Sequence, residues 1–434
     1  MRVAIHTLGC KVNQYESQAM EELLQARGHT LVPFEGEADA YLINSCTVTA
    51  VSDKKSRQAV RQVRRRAPAA LIALCGCYPQ VSPDQAAALG ADLVGGTGDR
   101  VAFLDKLEAL ARDREAGGEV LVDDPFRRMD FEVLPAGGLA GRTRAMLKVE
   151  DGCTNFCTYC IIPYARGRVR SLPLDQAAAE AARLAKEGYR ELVVTGIELS
   201  GYGRDLPGRP SLARLIETVC RAAPGLRVRL GSLEPRTVTE DFCRTLADLP
   251  NLCPHFHLSL QSGCDATLAR MGRKYTAADY ARTVDRLNHW FRRPAVTTDL
   301  IVGFPGETEE DFAESLDLVQ RCRLSRVHVF PYSRRQGTPA AAMPDQIPNA
   351  VKADRAHRAG EALGQLHASW LASWVGQRVD VLFEEEKDGW WRGYGPQYME
   401  VRVKGEDLHN RILPVTITGH DDDVLYGQCQ KEEP

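Results

Sequence analysis

Asp151-Gly-Cys-Thr-Asn-Phe-Cys-Thr-Tyr-Cys160 places Cys153, Cys157 and Cys160 in a Cys-x3-Cys-x2-Cys pattern. Three thiolates that close together ligate three irons of a cubane cluster and leave the fourth iron open. An open iron chelates a small molecule and delivers an electron to it. A structural zinc site instead draws four protein ligands, usually from paired Cys-x2-Cys units. No fourth Cys or His stands nearby, and the next cysteine is Cys220. The pattern therefore points to an open-site iron–sulfur cluster.

Outward from that loop, βα alternation continues from about residue 139 to 370. Strand candidates lie at 145–150, 190–195, 227–232, 255–260, 295–302 and 326–330, with helical runs such as Leu174 to Glu187 and Ala277 to Trp290 between them. Such units build an incomplete, laterally open (βα)6 barrel, whose chemistry sits at the C-terminal strand ends. Those ends carry Thr195-Gly-Ile-Glu198, Ser232-Leu-Glu-Pro235, Ser259-Leu-Gln-Ser262 and Gly303-Phe-Pro-Gly-Glu-Thr308. Glycine at 196 permits close approach of the backbone to a ligand. Arg166, Arg168 and Arg170 follow the cysteine loop and read either as contacts to a phosphate-bearing substrate or as a surface strand edge.

Residues 1 to about 136 alternate β-rich and helical runs: a strand at 2–8, an amphipathic helix at 14–27, and strands at 40–44 and 71–74. Helices between parallel strands imply an open, doubly wound sheet. Cys10, Cys46 and the pair Cys75-Gly-Cys77 each come where a strand hands over to its loop. In open α/β sheets those ends line the ligand crevice. Three thiols there form a second candidate iron–sulfur site, with buried free cysteine as the plain alternative. Between Cys75 and Cys77 the choice falls on Cys77, because the preceding glycine lets the backbone pack closely.

From about 371 to 434 the pattern shifts to short alternating strands at 378–383, 398–403 and 412–417, divided by glycines, as in a small all-β module of OB-like size. Trp390, Trp391, Tyr394 and Tyr398 read either as base-stacking platforms or as core. This segment holds seven Lys/Arg against 13 Asp/Glu, so its mean field repels phosphate.

Charge and composition set limits. The chain has 434 residues, 44% hydrophobic, 13 cysteines and a net charge of −3. It can form about two or three domains. The first residues read as a buried strand and not as a signal peptide, and no apolar run approaches the ~20 residues a bilayer crossing needs. A soluble, cytoplasmic protein with reduced thiols is expected. The run Asp53 to Arg66 has seven basic residues and one acidic, with Ala59, Val60 and Val63 at helical spacing. It reads as a basic-faced helix, either solvated or touching RNA.

The residues resemble a known family. The Cys153/Cys157/Cys160 triple is similar to the radical S-adenosylmethionine (SAM) signature. Thr7-Leu-Gly-Cys-Lys-Val-Asn-Gln-Tyr-Glu-Ser17, Ile43-Asn-Ser-Cys-Thr-Val48, Gly76-Cys-Tyr-Pro-Gln80 and Leu258-Ser-Leu-Gln-Ser-Gly-Cys-Asp265 together resemble the methylthiotransferases, and the tail resembles their TRAM module. Cys-Lys-Val-Asn-Gln-Tyr-Glu at 10–16 most resembles the branch acting on threonylcarbamoyladenosine beside the anticodon of tRNA. The extra Cys75, the acidic tail and the loose match of Gly196-Ile-Glu198 to the Gly-Gly-Glu of many radical-SAM enzymes depart from the family pattern.

The resemblance implies a radical-SAM tRNA methylthiotransferase with three domains, at 1–136, 139–370 and 371–434. It implies two 4Fe–4S clusters, one on Cys153, Cys157 and Cys160 that cleaves SAM, and one on Cys10, Cys46 and Cys77 that supplies sulfur methylated by a second SAM. Gly196, Glu198, Ser232, Glu234 and Gln261 are the candidates for holding SAM, by position at strand ends. The resemblance further implies an electron donor such as a flavodoxin or ferredoxin, and a sulfur donor. The rival readings are a methylthiotransferase for isopentenyladenosine or for a ribosomal-protein aspartate, and, of another class, a non-catalytic iron–sulfur RNA-binding protein.

Overall fold

The computed structural model describes residues 1–114, 119–135, 137 and 142–429. The boundary expected at residues 136 to 139 falls on positions mostly outside the described ones.

The N-terminal sheet is six-stranded and parallel, in the order β2-β1-β3-β4-β5-β6. Its strands are β1 (Arg2–Thr7), β2 (Thr30–Leu31), β3 (Ala40–Ser45), β4 (Leu71–Gly76), β5 (Leu93–Gly95) and β6 (Glu119–Leu121). β3 and β4 are buried at every residue, as continuous apolar runs are when helices cover both faces. Alternate residues serve the two faces. Val3, Leu42, Ala73 and Cys75 pack with Met20 and Leu24 of helix Lys11–Ala26 and with Phe103 and Leu107 of helix Arg100–Arg112. Ala4, Tyr41, Ile43 and Leu74 pack with Val60 and Val63 of helix Ala50–Arg66. The first helix starts at Lys11, three residues before the expected position, because Cys10 itself is its extended N-cap. The short strands β2, β5 and β6 were not expected from the sequence.

The central segment carries β7 (Arg144–Lys148), β8 (Glu150–Asp151), β9 (Arg170–Ser171), β10 (Glu191–Thr195), β11 (Arg227–Leu230), β12 (Ser232–Leu233), β13 (His255–Leu258), β14 (Ala295–Val302) and β15 (Arg326–Pro331). β11 and β12 are the one strand expected at 227–232, interrupted at Gly231. Through them the parallel row runs β7-β10-β11/β12-β13-β14-β15, the open six-stranded barrel that the alternation implied. Helices such as Leu174–Lys186, Leu212–Ala222 and Ala277–Trp290 shield its outside over one large apolar core.

The C-terminal strands β16 (Arg378–Lys387), β17 (Trp390–Tyr394), β18 (Glu400–Val403), β19 (Ile412–His420) and β20 (Val424–Cys429) close into a barrel. Two of them, β17 and β20, were not among the expected strands. β16 and β17 are joined by Asp388-Gly389, both at positive φ (52° and 72°), the Asp-Gly pair that a tight hairpin turn requires. This barrel seats on the N-terminal mouth of the central strands. Arg229 donates to the carbonyls of Pro396 (2.8 Å) and Gly395 (3.1 Å), and Arg144 donates to Glu384 (2.7 Å). Tyr394 and Tyr398 stack on each other beneath Arg144, and Tyr398 also lies under Arg229. These tyrosines thus face the central domain, while Trp391 is core. Among the described residues no helix is long and apolar enough to cross a membrane.

Candidate functional site

Three neighbouring strands of the N-terminal sheet, β1, β3 and β4, end together, and Cys10, Cys46 and Cys77 follow them. Two glycines make the approach possible. Gly9 (φ +110°) lies so near Cys46 that an added Cβ would stand 2.7 Å from its Cβ and 2.9 Å from its Sγ. Gly76 (φ +101°) lies so near β3 that an added Cβ would stand 2.5 Å from the Ser45 carbonyl. The three thiols are close enough that each feels the others' charge. Burial pushes the Cys46 and Cys77 thiols up, and at Cys77 the Arg166 guanidinium opposes that rise. Cys75 is apart from them, packed among Met20, Phe103 and Leu107, with its thiol pushed up to about 12 by that burial.

Cys153, Cys157 and Cys160 occupy the loop after β7 and β8. The loop turns through Gly152 (φ +90°) and Phe156 (φ +48°). An added Cβ on Gly152 would stand 1.9 Å from the Arg168 carbonyl, so only glycine lets the Cys153 N–H reach Gly167 O at 3.0 Å. Arg273, almost wholly buried, donates to Cys157 Sγ (3.2 Å) and to the Tyr275 hydroxyl (3.0 Å), and lies 3.6 Å from Glu234. Tyr275 in turn donates to the carbonyls of Ser259 and Leu260 at the end of β13.

The remaining predicted residues surround this loop unevenly. Gly196 abuts Glu150: an added Cβ would stand 2.6 Å from its Oε2. That oxygen accepts the Glu198 N–H (2.8 Å). The Glu198 carboxylate accepts the Ser200 N–H (3.1 Å), and the Ser200 hydroxyl accepts the Glu234 N–H (2.9 Å). Gly196, Glu198 and Glu234 therefore form one connected group. Gln261 (φ +68°) is stitched by its backbone to Asp299 and Ile301 of β14, and Ser232 is exposed toward the barrel lumen.

Glu150, Asp151 and Arg273 were missed in the sequence. Asp151 stood in the quoted loop, and only burial reveals its role. Burial pushes the Glu150 carboxyl well up, with Asp151 and Glu198 adding repulsion. Its Oε1 is buried without a partner among the described residues. Such an orphan beside strand ends marks a place where a polar ligand group would be satisfied.

A buried charge network joins the two cysteine sets. Glu16, on the first helix, accepts from Arg100 (2.9 Å) and from Arg166, which also donates to Asn13 (2.9 Å). Lys148 and Arg166 reach Asp151 at 3.2 and 3.5 Å, and Arg170 at 3.6 Å. Burial alone would raise the Glu16 carboxyl, but Arg100, Arg166 and Lys148 together hold it down to about 2. Arg166 and Arg170 are thus neither a surface edge nor free for a phosphate.

The donor chemistry fits cubane clusters. Each set offers three thiols, and each has a buried guanidinium beside one of them, Arg166 at Cys77 and Arg273 at Cys157. Among the described residues no three His, Cys, Asp or Glu side chains converge as donors to a single metal ion, whereas each thiolate of a cubane takes its own iron.

Residues 147–319 match the radical SAM superfamily, and residues 2–96 match an uncharacterized protein family, UPF0004. A solved radical SAM methyltransferase, TsrM from Kitasatospora setae, shares the fold with a TM-score of 0.55 at 18% identity, covering 78% of this chain and 77% of that one. The fold and the cysteine loop define a radical SAM enzyme, a class whose chemistry uses SAM and a 4Fe–4S cluster. The threonylcarbamoyladenosine tRNA methylthiotransferases of Bacillus subtilis and Thermotoga maritima are 39% and 40% identical to it. They align over 96% and 94% of this chain and 93% and 92% of their own lengths. A tRNA-2-methylthio-N(6)-dimethylallyladenosine synthase of Pelotomaculum thermopropionicum is 34% identical over 96% of this chain and 94% of its own. The chain belongs to the radical SAM tRNA methylthiotransferases.

Proposed function

We propose that the nucleoside modified is threonylcarbamoyladenosine beside the anticodon, methylthiolated at adenine C2 with two SAM molecules and two 4Fe–4S clusters. The observation that carries this reading is Cys-Lys-Val-Asn-Gln-Tyr-Glu at 10–16, the segment of the chain that most resembles that branch. The 39% and 40% identity to the Bacillus subtilis and Thermotoga maritima relatives named for that nucleoside, against 34% to the dimethylallyladenosine relative of Pelotomaculum thermopropionicum, supports it. We assign the chain to three working units, 1–136, 139–370 and 371–434, in the cytoplasm, served by a flavodoxin- or ferredoxin-like reductant and a sulfur donor.

In this reading Cys153, Cys157 and Cys160 hold the cluster that, with SAM bound, supplies the deoxyadenosyl radical. Gly196, Glu198, Ser232, Glu234 and Gln261 position SAM. The buried Glu150, its carboxyl pushed well up by burial, has an Oε1 without a partner among the described residues, which faces a place for a bound polar group. Cys10, Cys46 and Cys77 hold the second cluster, which supplies sulfur. An aromatic C–H gives no foothold to side-chain acids and bases, so a site built from thiols and charge-balancing guanidinium groups suits it. Lys54, Lys55, Arg61 and Arg65 are exposed on helix Ala50–Arg66, which begins four residues after Cys46. That basic face attracts the tRNA backbone.

Nucleoside analysis of tRNA from cells lacking the protein tests the substrate. Loss of the methylthio group from threonylcarbamoyladenosine alone is expected. Loss from isopentenyladenosine instead, or unchanged tRNA, would overturn the assignment.

A further inference from the structure

A cavity of about 560 Å³ occupies the barrel lumen between β13–β15 and the C-terminal barrel. Its walls include His257, Asp299 and His328 from the central strands, Tyr398 from the cap, and Lys11, the residue after Cys10. Lys11 follows Cys10 in the chain, and Ser232 lies in β12, the last part of the interrupted third strand.

Among the described residues the cavity's charged groups have partners except Lys11. Arg326 pairs with Asp423 (3.1 Å), Arg392 with Glu400 (3.0 Å) and Arg402 with Glu400 (2.8 Å). His255 is held neutral, chiefly by burial and by the cations near it, Lys11 among them. Lys11 has no ion pair or side-chain hydrogen bond to any described residue, although it also borders the neighbouring cavity beside Gln14 and Met146. Asp299 lies 3.4 Å from His257 and beside His328, its register partner on β15. A half-buried cation and a half-buried carboxylate in one cavity are complementary to a ligand that carries a carboxylate together with N–H or O–H donors. An apolar substituent would leave Lys11 desolvated and unpaired, which is costly.

We propose that this lumen recognises the substituent on the exocyclic nitrogen of the substrate adenine, an amino-acid-derived carbamoyl group, with Lys11 pairing its carboxylate and Asp299 accepting from its N–H and O–H donors. This rests on the nucleoside reading above and makes Lys11 and Asp299 specificity-determining residues. Lys11 then couples substrate identity to the cysteine set, because it leads directly out of Cys10 into the helix.

Binding of labelled anticodon stem-loops to anaerobically reconstituted holoenzyme tests it. The loops carry adenosine, threonylcarbamoyladenosine or its methyl ester. The wild type should bind the acid about tenfold more tightly than the ester, the size of a charge-assisted hydrogen bond. Lys11→Gln should erase that preference, Lys11→Arg should keep most of it, and Asp299→Asn should weaken both modified loops alike. A Lys11→Gln protein that loads iron normally yet keeps the acid-over-ester preference would overturn the site alone. Equal binding of modified and unmodified loops by the wild type would overturn the nucleoside reading, and the site with it.

Discussion

Cys157→Ala should abolish deoxyadenosine formation from SAM while the N-terminal cysteine set still loads iron, and Cys46→Ala should do the reverse, leaving SAM cleavage intact and stopping sulfur transfer. The separation follows from the two proposed clusters having no ligand in common. Cys157 is buried and takes a hydrogen bond from Arg273. Its loss removes one of the three proposed ligands and leaves a buried guanidinium without its sulfur partner. Cys46 stands against Gly9 at the end of β3 and shares no sulfur with the other set. Anaerobic incubation with reductant, SAM and tRNA reads both activities at once, as deoxyadenosine and as methylthio-nucleoside. If both variants stay folded and each loses both activities, the division of labour is wrong.

Glu16→Gln is expected to destabilise the protein by about 3–5 kcal/mol, the usual cost of removing one partner of a buried ion pair. The side chain is fully buried, accepts from Arg100 and Arg166, and lies 3.7 Å from Lys148. Glutamine keeps the shape but leaves three buried cations with less negative charge. Because Arg166 also faces Cys77, the N-terminal cysteine set should load iron less well in the same variant. The pH dependence gives the sign. A carboxyl held down to about 2 against an ordinary 4.5 contributes stability that is full above pH 4.5 and lost as pH falls toward 2. The difference in unfolding midpoint between wild type and Glu16→Gln should therefore shrink through that window. A difference that stays constant from pH 5 to below 3 would show that Glu16 is not the charged centre of the network.

Much of this was legible in the sequence for local reasons. The cysteine loop could be read because its spacing alone limits the donors, and β3 and β4 because parallel strands buried on both faces are continuous apolar runs. Helix Ala277–Trp290 could be read because Thr276 and Asp279 form a capping box around its start. What escaped depends on pairings far apart in the chain. Arg166 reads as a phosphate contact until Glu16, 150 residues earlier, is seen to bury it. Glu150 and Arg273 carry no local signal, since only the folded barrel brings them to the loop. Strand β17 escapes although its Asp388-Gly389 turn is in plain view, because Trp390 and Trp391 read equally as stacking platforms or as core. Asn13 and Glu16 lay inside the motif at 10–16, which marked the family without revealing that they grip Arg166.

The most direct test of the central claim is Mössbauer spectroscopy of the iron-57-loaded protein prepared without oxygen, as wild type and as a variant with Cys153, Cys157 and Cys160 all replaced by alanine. The account predicts about eight irons in the wild type as cubane clusters, and about four in the variant with the cubane signature retained. A wild type with iron for one cubane only, or a variant that has lost all of its iron while folded, would contradict it.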